Sequence, residues 1–508
     1  MQFKRILSLT MVFVLSLAAF SGCKKSDGDE YSEFVSYVEV GGGDNANNQK
    51  DSKGDNEADN SSTGTSGSGK TNSGSGKTSN GATTTKNGKV DLGGRTIIYH
   101  TFWSEPKKGG SDRENTYWKK KTELEKKYNF KFKHVSSNDD NLYDKVITSI
   151  VAGKPSCDIM SSKQIAVPAM KQGLFYDLSK LEEINLNDSK WRKCVTEMGT
   201  LNGKKYLMEA GKMITSNMIL YNKDLFKAKK MDGEDLYTLQ KQGKLTLDKL
   251  ISIMKKMYDG KKASTVVDIF PFNLHIQFAY AYGSQIISRT PGTTKFQSTI
   301  GSNEVTNAFK AAQDLLNSGV VVNNAGSSWK WARDEFLKGN YPILIGSGDL
   351  ENIASNCSFD LGACVIPDLN GKPVCEISDV QWAAIPYNVK NPHDVAFVWN
   401  EMADYIFDVN YKLRYQDIVS SDVMQLLDDI SKRQVAGELK VDYYNVINIW
   451  SDGVGGVFNE MIAGTTTPAS AIQTVNNMIK TKLKTYEKLK KKLCKPFRRV
   501  SAIMPALL

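Results

Sequence analysis

From residue 95 onward the hydrophobic positions switch between two periods, and the switches mark the elements. Thr96 to His100 (TIIYH) is a short apolar run that predicts a strand, ending in Thr101-Phe102-Trp103. Ser111-Asp112-Arg113-Glu114 reads as a capping box, and Tyr117, Leu124 and Tyr128 then share one helical face. Phe130 to Val135 alternates as a second strand. Leu142, Val146 and Ile150 mark a second helix, stopped by Gly153 and Pro155. Cys157-Asp158-Ile159-Met160 predicts a third strand. This β-α-β-α-β rhythm implies a mostly parallel sheet covered by helices. It restarts at Met218-Ile219-Leu220-Tyr221, with helices near 246–258 and 303–318 and a strand over Tyr341 to Ile345. The predicted class is α/β, with two parallel-sheet units and a cleft between them as the natural site. Ligands of such sheets bind beyond the carboxyl ends of strands, which singles out Trp103 and Ser104, then Ser161 to Gln164.

The first 92 residues follow neither period. Gly41 to Lys89 is almost wholly Gly, Ser, Thr, Asn, Asp and Lys, a composition that cannot bury enough surface to offset its ordering entropy. It reads as a flexible tether. Gly64-Thr65-Ser66-Gly67-Ser68-Gly69-Lys70-Thr71 within it matches the phosphate-loop spacing, yet no strand precedes it and no helix follows to fix its backbone donors. Nucleotide binding there is not expected. At the start, Lys4 and Arg5 precede an apolar run from Ile6 to Phe20, too short to span a bilayer stably, and then Ser21-Gly22-Cys23. This resembles a bacterial lipobox, with Phe20 in place of the usual Leu, Val or Ile. The resemblance implies cleavage before Cys23 and a lipid-modified (palmitate-bearing) N-terminus, holding the chain to the outer face of the cell membrane.

Composition narrows the rest. The net charge of +10 suggests an anionic partner until it is located. Lys480 to Arg499 holds ten Lys or Arg and one Glu, so the remainder is nearly balanced, which removes the case for a nucleic-acid-binding face. Ile479, Leu483, Tyr486 and Leu493 in and beyond that segment fit one face of a helix. Besides Cys23 there are Cys157, Cys194, Cys357, Cys364, Cys375 and Cys494, in even number. A bridge within the 357/364/375 group and buried free thiols both remain open. No Cys or His spacing suggests zinc, and neither a metal nor a cofactor is expected.

Five fragments in order carry a family resemblance. They are Lys154-Pro155-Ser156-Cys157-Asp158-Ile159 with Gly173-Leu174-Phe175-Tyr176-Asp177-Leu178, then Leu220-Tyr221-Asn222-Lys223-Asp224-Leu225-Phe226, Phe336-Leu337-Lys338-Gly339-Asn340, Val365-Ile366-Pro367, and Ile385 to Pro392. Together they resemble the bacterial extracellular solute-binding proteins, closest to the carbohydrate-binding branch that includes maltose-binding proteins. The resemblance implies a two-lobed periplasmic-binding-protein-like fold that works as a monomer, closes on a ligand, and delivers that ligand to the permease subunits of an ABC importer. It also implies boundaries: signal peptide 1–22, anchored linker 23–92, lobe 1 over 93–214 plus 380–410, lobe 2 over 215–379 plus 411–485, and a basic tail 486–508.

A sugar presents apolar CH faces and hydroxyl edges, so its site pairs aromatic plates with hydrogen-bonding groups. Trp103 follows the first strand, Trp382 stands beside the return crossing after Asp379 and Gln381, and Trp450 resembles the family's ligand-facing aromatic at the start of a C-terminal helix. Ser162, beside Lys163 and Gln164, stands where maltose-binding relatives carry a Trp after the strand Asp. Gly346-Ser347-Gly348-Asp349 stands where they carry another, which argues against a maltodextrin and makes Asp349 a candidate for ligand hydroxyls or a ligand cation. Phe272, Asn273, His275, Trp329 and Trp331 are lesser candidates. A receptor for a peptide or another solute on the same fold stays open. A secreted glycoside hydrolase is the reading from another class: there are only four histidines and neither HExxH nor G-x-S-x-G, but a carboxylate pair would need no such motif.

Overall fold

The computed structural model describes residues 83–137, 142–162, 166–211, 218–268, 272–290, 293, 295–323, 330–346, 350–377, 381–406, 415–436, 438, 440–441, 443, 449 and 453–488. The chain divides into two compact units, Met1–Val40 and Gly41–Leu508, and every described residue lies in the second.

The first lobe is built as its periodicity indicates. Strand β1 (Arg95–Thr101) leads to helix α1 (Asp112–Tyr128), whose start is closed by the reciprocal bonds of Ser111 and Glu114. Its end is Asn129 in the left-handed region, whose N–H donates to Glu125 O. Strand β2 (Phe130–Ser136), helix α2 (Leu142–Val151), strand β3 (Ile159–Ser162), helix α3 (Ala166–Gln172) and the short helix α4 (Lys193–Met198) follow. Leu142, Val146 and Ile150 are buried as their spacing requires, as are Tyr117 and Leu124. Strand β3 begins two residues beyond Cys157, because Asp158 is used at its entry: its carboxylate accepts from Ile98 N (2.9 Å) and from Arg95 (3.0 Å).

The second lobe holds β4 (Met218–Asn222), α5 (Leu247–Met257), β5 (Thr265–Val267), α6 (Asn273–Ala281), the hairpin β6 (Ile287–Arg289) and β7 (Phe296–Ser298), α7 (Asn303–Asn317), β8 (Val321–Val322), α8 (Trp331–Leu337), β9 (Ile343–Ile345) and β10 (Leu361–Val365). The chain then returns to the first sheet as β11 (Trp382–Ala384) and α9 (Pro392–Ile406). It closes with α10 (Ser421–Ala436), α11 (Val454–Ile462) and α12 (Pro468–Lys488).

Two sheets result, in the orders β11-β3-β1-β2 and β8-β5-β9-β4-β10. The expectation of two parallel units needs correction here. β11 runs antiparallel to β3, and β4 runs antiparallel to both β9 and β10. Both exceptions are the first strand after a passage from one sheet to the other. A strand entered from the neighbouring lobe runs away from the shared edge, whereas a strand reached through a helix on its own lobe runs towards it. The mixed sheets are therefore a consequence of a chain that passes between lobes more than once.

One face of the first sheet packs Ile97, Tyr99, Phe130 and Phe132 against Trp399 and Met402 of α9. The core on its other face, with Val146, Met160 and Trp382, is continuous with that of the second lobe. The folded part also starts earlier than 93. Thr85–Lys86 pairs with Lys89–Val90 around Asn87-Gly88, both at positive φ as a tight hairpin turn requires, and Thr84 N donates to Asp394 Oδ1 (2.8 Å). The five described cysteines are free, and no bridge joins Cys357, Cys364 and Cys375. In α12, Ile479 and Leu483 are buried; Leu493 lies outside the described residues. Among the described residues no helix is long and apolar enough to cross a membrane.

Candidate ligand site at the facing strand ends

The strand directions bring a set of loops to one edge of each sheet. β1 and β3 are parallel and end at Thr101 and Ser162, and β11 begins at the same edge because Trp382 pairs with Ser162. In the second sheet β5 and β9 end together at Val267 and Ile345, beside the start of β4 at Met218. The chain leaves the first sheet after Gly211 and enters the second at Met218, so these are the edges through which the two lobes are joined.

Trp103 stands at the end of β1, half-buried, with Ser104 exposed beside it. Its main chain is held at both polar groups. The Trp103 N–H donates to Thr101 Oγ1 (3.3 Å), and His134 Nε2 approaches the Trp103 carbonyl at 2.9 Å. A carbonyl only accepts, so the ring carries its hydrogen on Nε2. Burial lowers the pKa of His134 and keeps the imidazole neutral. Tyr99 backs the histidine: its ring stands edge-on to His134 at 5.1 Å. The following loop is fastened to α1, with Glu105 accepting from Tyr117 Oη (2.8 Å) and Lys121 Nζ (2.7 Å), and Pro106 O accepting from Trp118 Nε1 (2.9 Å). A single indole is thus presented at the strand end on a fixed backbone, with the edge of Phe102 against it (5.6 Å between centroids).

Ser162 is buried at the end of β3, directly across from Trp382. Trp382 itself departs from the expectation of a cleft plate. It is 0% exposed, and its ring packs on Phe175 (5.5 Å) and Tyr143 (6.3 Å). The reason is strand alternation: Trp382 and Ala384 turn to the α2/α3 side, while Ala383 turns to the α9 side. Lying inside a paired strand, its side chain projects into the core rather than past the strand end. Cys23, Lys163, Gln164, Asp349 and Trp450 lie outside the described residues, as do Trp329 and Asp379.

The matching edge of the second lobe is built from polar groups. Asp268 follows β5 at 0% exposure and pairs with Arg333 Nε at 2.9 Å. Asn273, half-buried, donates from Nδ2 to Asp268 O (3.2 Å) and accepts from Gln277 Nε2 (3.2 Å). Gly346 must be glycine: its φ is +91°, and a Cβ would stand 2.2 Å from Asn273 Nδ2. Phe272 packs on Phe458 (5.2 Å), and His275 is fully buried, its Nε2 3.2 Å from Gln313 Oε1 and its pKa pushed down to about 4 by burial. Those two are core residues, while Trp331 is half-buried with its edge on Tyr341 (6.1 Å). The Asp268–Arg333 pair was not singled out from the sequence. The signal available was Thr265-Val266-Val267-Asp268, a short β-branched run that ends in an acid.

A second buried pair sits where the chain leaves the first sheet. Arg192 Nε donates to Gly211 O (3.0 Å), and Arg192 Nη1 stands 3.4 Å from Glu209 Oε1. Burial raises the Glu209 pKa to about 7 against the opposing pull of Arg192. Among the described residues no group of His, Cys, Asp and Glu is placed to hold a metal ion.

No curated protein sequence matches the chain. Solved structures do. An ABC substrate-binding protein from Listeria monocytogenes in complex with cycloalternan matches with a TM-score of 0.54 and 17% identity, over 76% of this chain and 99% of that one. The GacH receptor of Streptomyces glaucescens, solved unliganded and with acarbose, matches at 0.55 and 14%, over 77% and 99%. UspC of M. tuberculosis matches at 0.56 and 14%, over 76% and 100%. At such identities these likenesses show the two-lobed fold. The model of the bacterial extracellular solute-binding protein family matches residues 121–400, more than half of the chain, and the chain belongs to that family.

Proposed function

We propose that this chain is a lipid-anchored receptor that captures a sugar or oligosaccharide between its lobes and presents it to the permease subunits of an ABC importer. The observation that carries the reading is Trp103, a half-buried indole on a main chain braced at both N–H and carbonyl, at the sheet edge that meets the second lobe. A fixed aromatic plate recognises the apolar face of a pyranose at little ordering cost. Hydroxyl edges would then be met by Ser162, Lys163, Gln164 and Asp349, with Trp450 as a second plate. Structures of similar fold were solved with oligosaccharides, among them cycloalternan, acarbose and, for a cyclo/maltodextrin-binding protein, maltotetraose.

The three crossings between lobe 1 (93–214 with 380–410) and lobe 2 (215–379 with 411–485) act as the hinge. A ligand touching both lobes shifts the population to the closed form. Lipid on Cys23, followed by a Gly/Ser-rich tether, keeps the receptor at the outer membrane surface while leaving it free to reorient.

A thermal-shift panel of mono- and oligosaccharides, with peptides and amines as controls, tests the reading. A ligand present at 100 times its dissociation constant adds about 2.7 kcal/mol to stability and raises the midpoint. Stabilisation by a glycan supports the proposal, and stabilisation by a peptide or an amine alone overturns the sugar assignment. For the anchor, Cys23→Ser releases the protein into the medium and abolishes incorporation of a labelled fatty acid; retention on the membrane with no label contradicts it.

A further inference from the structure

Arg289 joins the lobes outside the strand-end loops. It sits at the end of β6, in the hairpin of the second lobe, and all three of its nitrogens are used. Nε donates to Thr293 O of its own hairpin at 2.8 Å, which fixes the guanidinium plane. Nη1 donates to Glu197 O (3.0 Å) and Nη2 to Thr200 O (2.7 Å), both in the first lobe. Glu197 O lies in the last turn of α4, where the helix dipole favours a cation, and Thr200 O stands two residues beyond the helix end. On the other side the guanidinium lies 5.8 Å from the Phe296 centroid, and Phe296 meets Tyr443 edge-on at 5.6 Å. Helix α10 of the second lobe also packs on α4. One short element of the first lobe is thus gripped by two segments of the second, the hairpin and α10.

We propose that Arg289 is an interlobe clasp that sets the resting equilibrium between lobe arrangements, and through it the apparent affinity for ligand. The proposal rests on the reading of a receptor that works by lobe closure. Two bonds of 2.7 and 3.0 Å between separate lobes hold in one arrangement only. A relative displacement of about 1 Å takes them beyond hydrogen-bonding range. Bonds to a charged donor are among the stronger ones, so their loss on lobe movement biases the equilibrium by about tenfold or more. Lysine cannot replace the grip, because it lacks the planar fork that meets three carbonyls at once.

The test uses the full chain without ligand, so its outcome is independent of which solute is bound. Spin labels are placed through unnatural amino acids at Lys126 in α1 and Lys310 in α7, both exposed, leaving native cysteines untouched. Pulsed dipolar spectroscopy on the parent is expected to give one dominant interlobe distance. Arg289→Gln is expected to add a second population raised about tenfold over the parent, with Arg289→Lys intermediate. Superimposable distance distributions for parent, Arg289→Gln and Arg289→Lys overturn the clasp. A cooperative melt of each variant establishes that it is folded. If Arg289→Gln does not fold, Phe296→Leu, which removes the ring beneath the guanidinium, must show the same redistribution or the proposal falls. Failure of every glycan to bind would leave this result standing, and an unchanged distance distribution would leave the sugar reading standing.

Discussion

The two facing edges solve the same problem in opposite ways. At the first sheet the strand end presents a half-buried indole, and buried Thr101 and half-buried His134 hold the backbone beneath it. At the second sheet the equivalent position is an acid, Asp268, turned inward to a buried arginine, and the half-buried group beside it is a carboxamide, Asn273. The first edge offers apolar contact area from a rigid support. The second offers hydrogen bonds and keeps its full charges within the protein. A ligand with one apolar face and one hydroxylated face suits that asymmetry, since each lobe would meet a different side of it.

The largest way to break the comparison is to remove one partner of the charged pair. Arg333→Met leaves Asp268 buried without its cation and is expected to cost about 3–5 kcal/mol in chemical denaturation. Asp268→Leu combined with Arg333→Met should recover much of that loss, and no recovery would mean that the arginine acts through something other than this pair. Trp382→Ala tests the correction at the first edge. Emptying a fully buried indole site costs about 3–5 kcal/mol. A loss of glycan affinity at unchanged stability would instead return Trp382 to the site.

Trp103→Ala should do the reverse: at most about 1 kcal/mol in stability, as expected for a half-buried ring, with glycan affinity reduced at least about tenfold. Calorimetric titration beside a denaturant melt separates the two. A pH dependence is expected at the exit from the first sheet. Glu209 has its folded pKa raised from 4.5 to about 7, so the folded state binds the proton more tightly. Its contribution to stability is complete below the unfolded value and is lost as pH rises through about 7. His275, lowered from 6.5 to about 4, has the opposite slope, with stability lost as pH falls through that interval. Stability of parent minus that of Glu209→Gln, followed from pH 4 to 8, should isolate a falling curve; a flat difference removes the linkage.

Much of this was legible in residue order, for reasons that can be named. The capping box at Ser111 and Glu114 and the 142/146/150 stripe are local, and local signals survive folding. The place of Trp103 just beyond a strand end was legible because it needs only the strand. The direction of β4 and β11 was not, since it depends on which sheet the chain has just left. Trp382 misled because proximity to a crossing says nothing about the face to which an alternating strand turns its side chain. The Asn87-Gly88 hairpin stood in plain view inside a polar tract, and the composition around it hid the turn signal. Arg289 carries no motif: its partners are main-chain carbonyls some ninety positions earlier, which only the fold brings within reach.

The most direct test of the sugar-receptor reading is a calorimetric titration of the parent and of Trp103→Ala with the glycan that stabilises the parent most. Saturable one-to-one binding by the parent, with affinity at least about tenfold weaker in a Trp103→Ala protein of unchanged melting behaviour, is the expected result. Equal affinity in the two proteins, or heat of binding only from peptides, would contradict it.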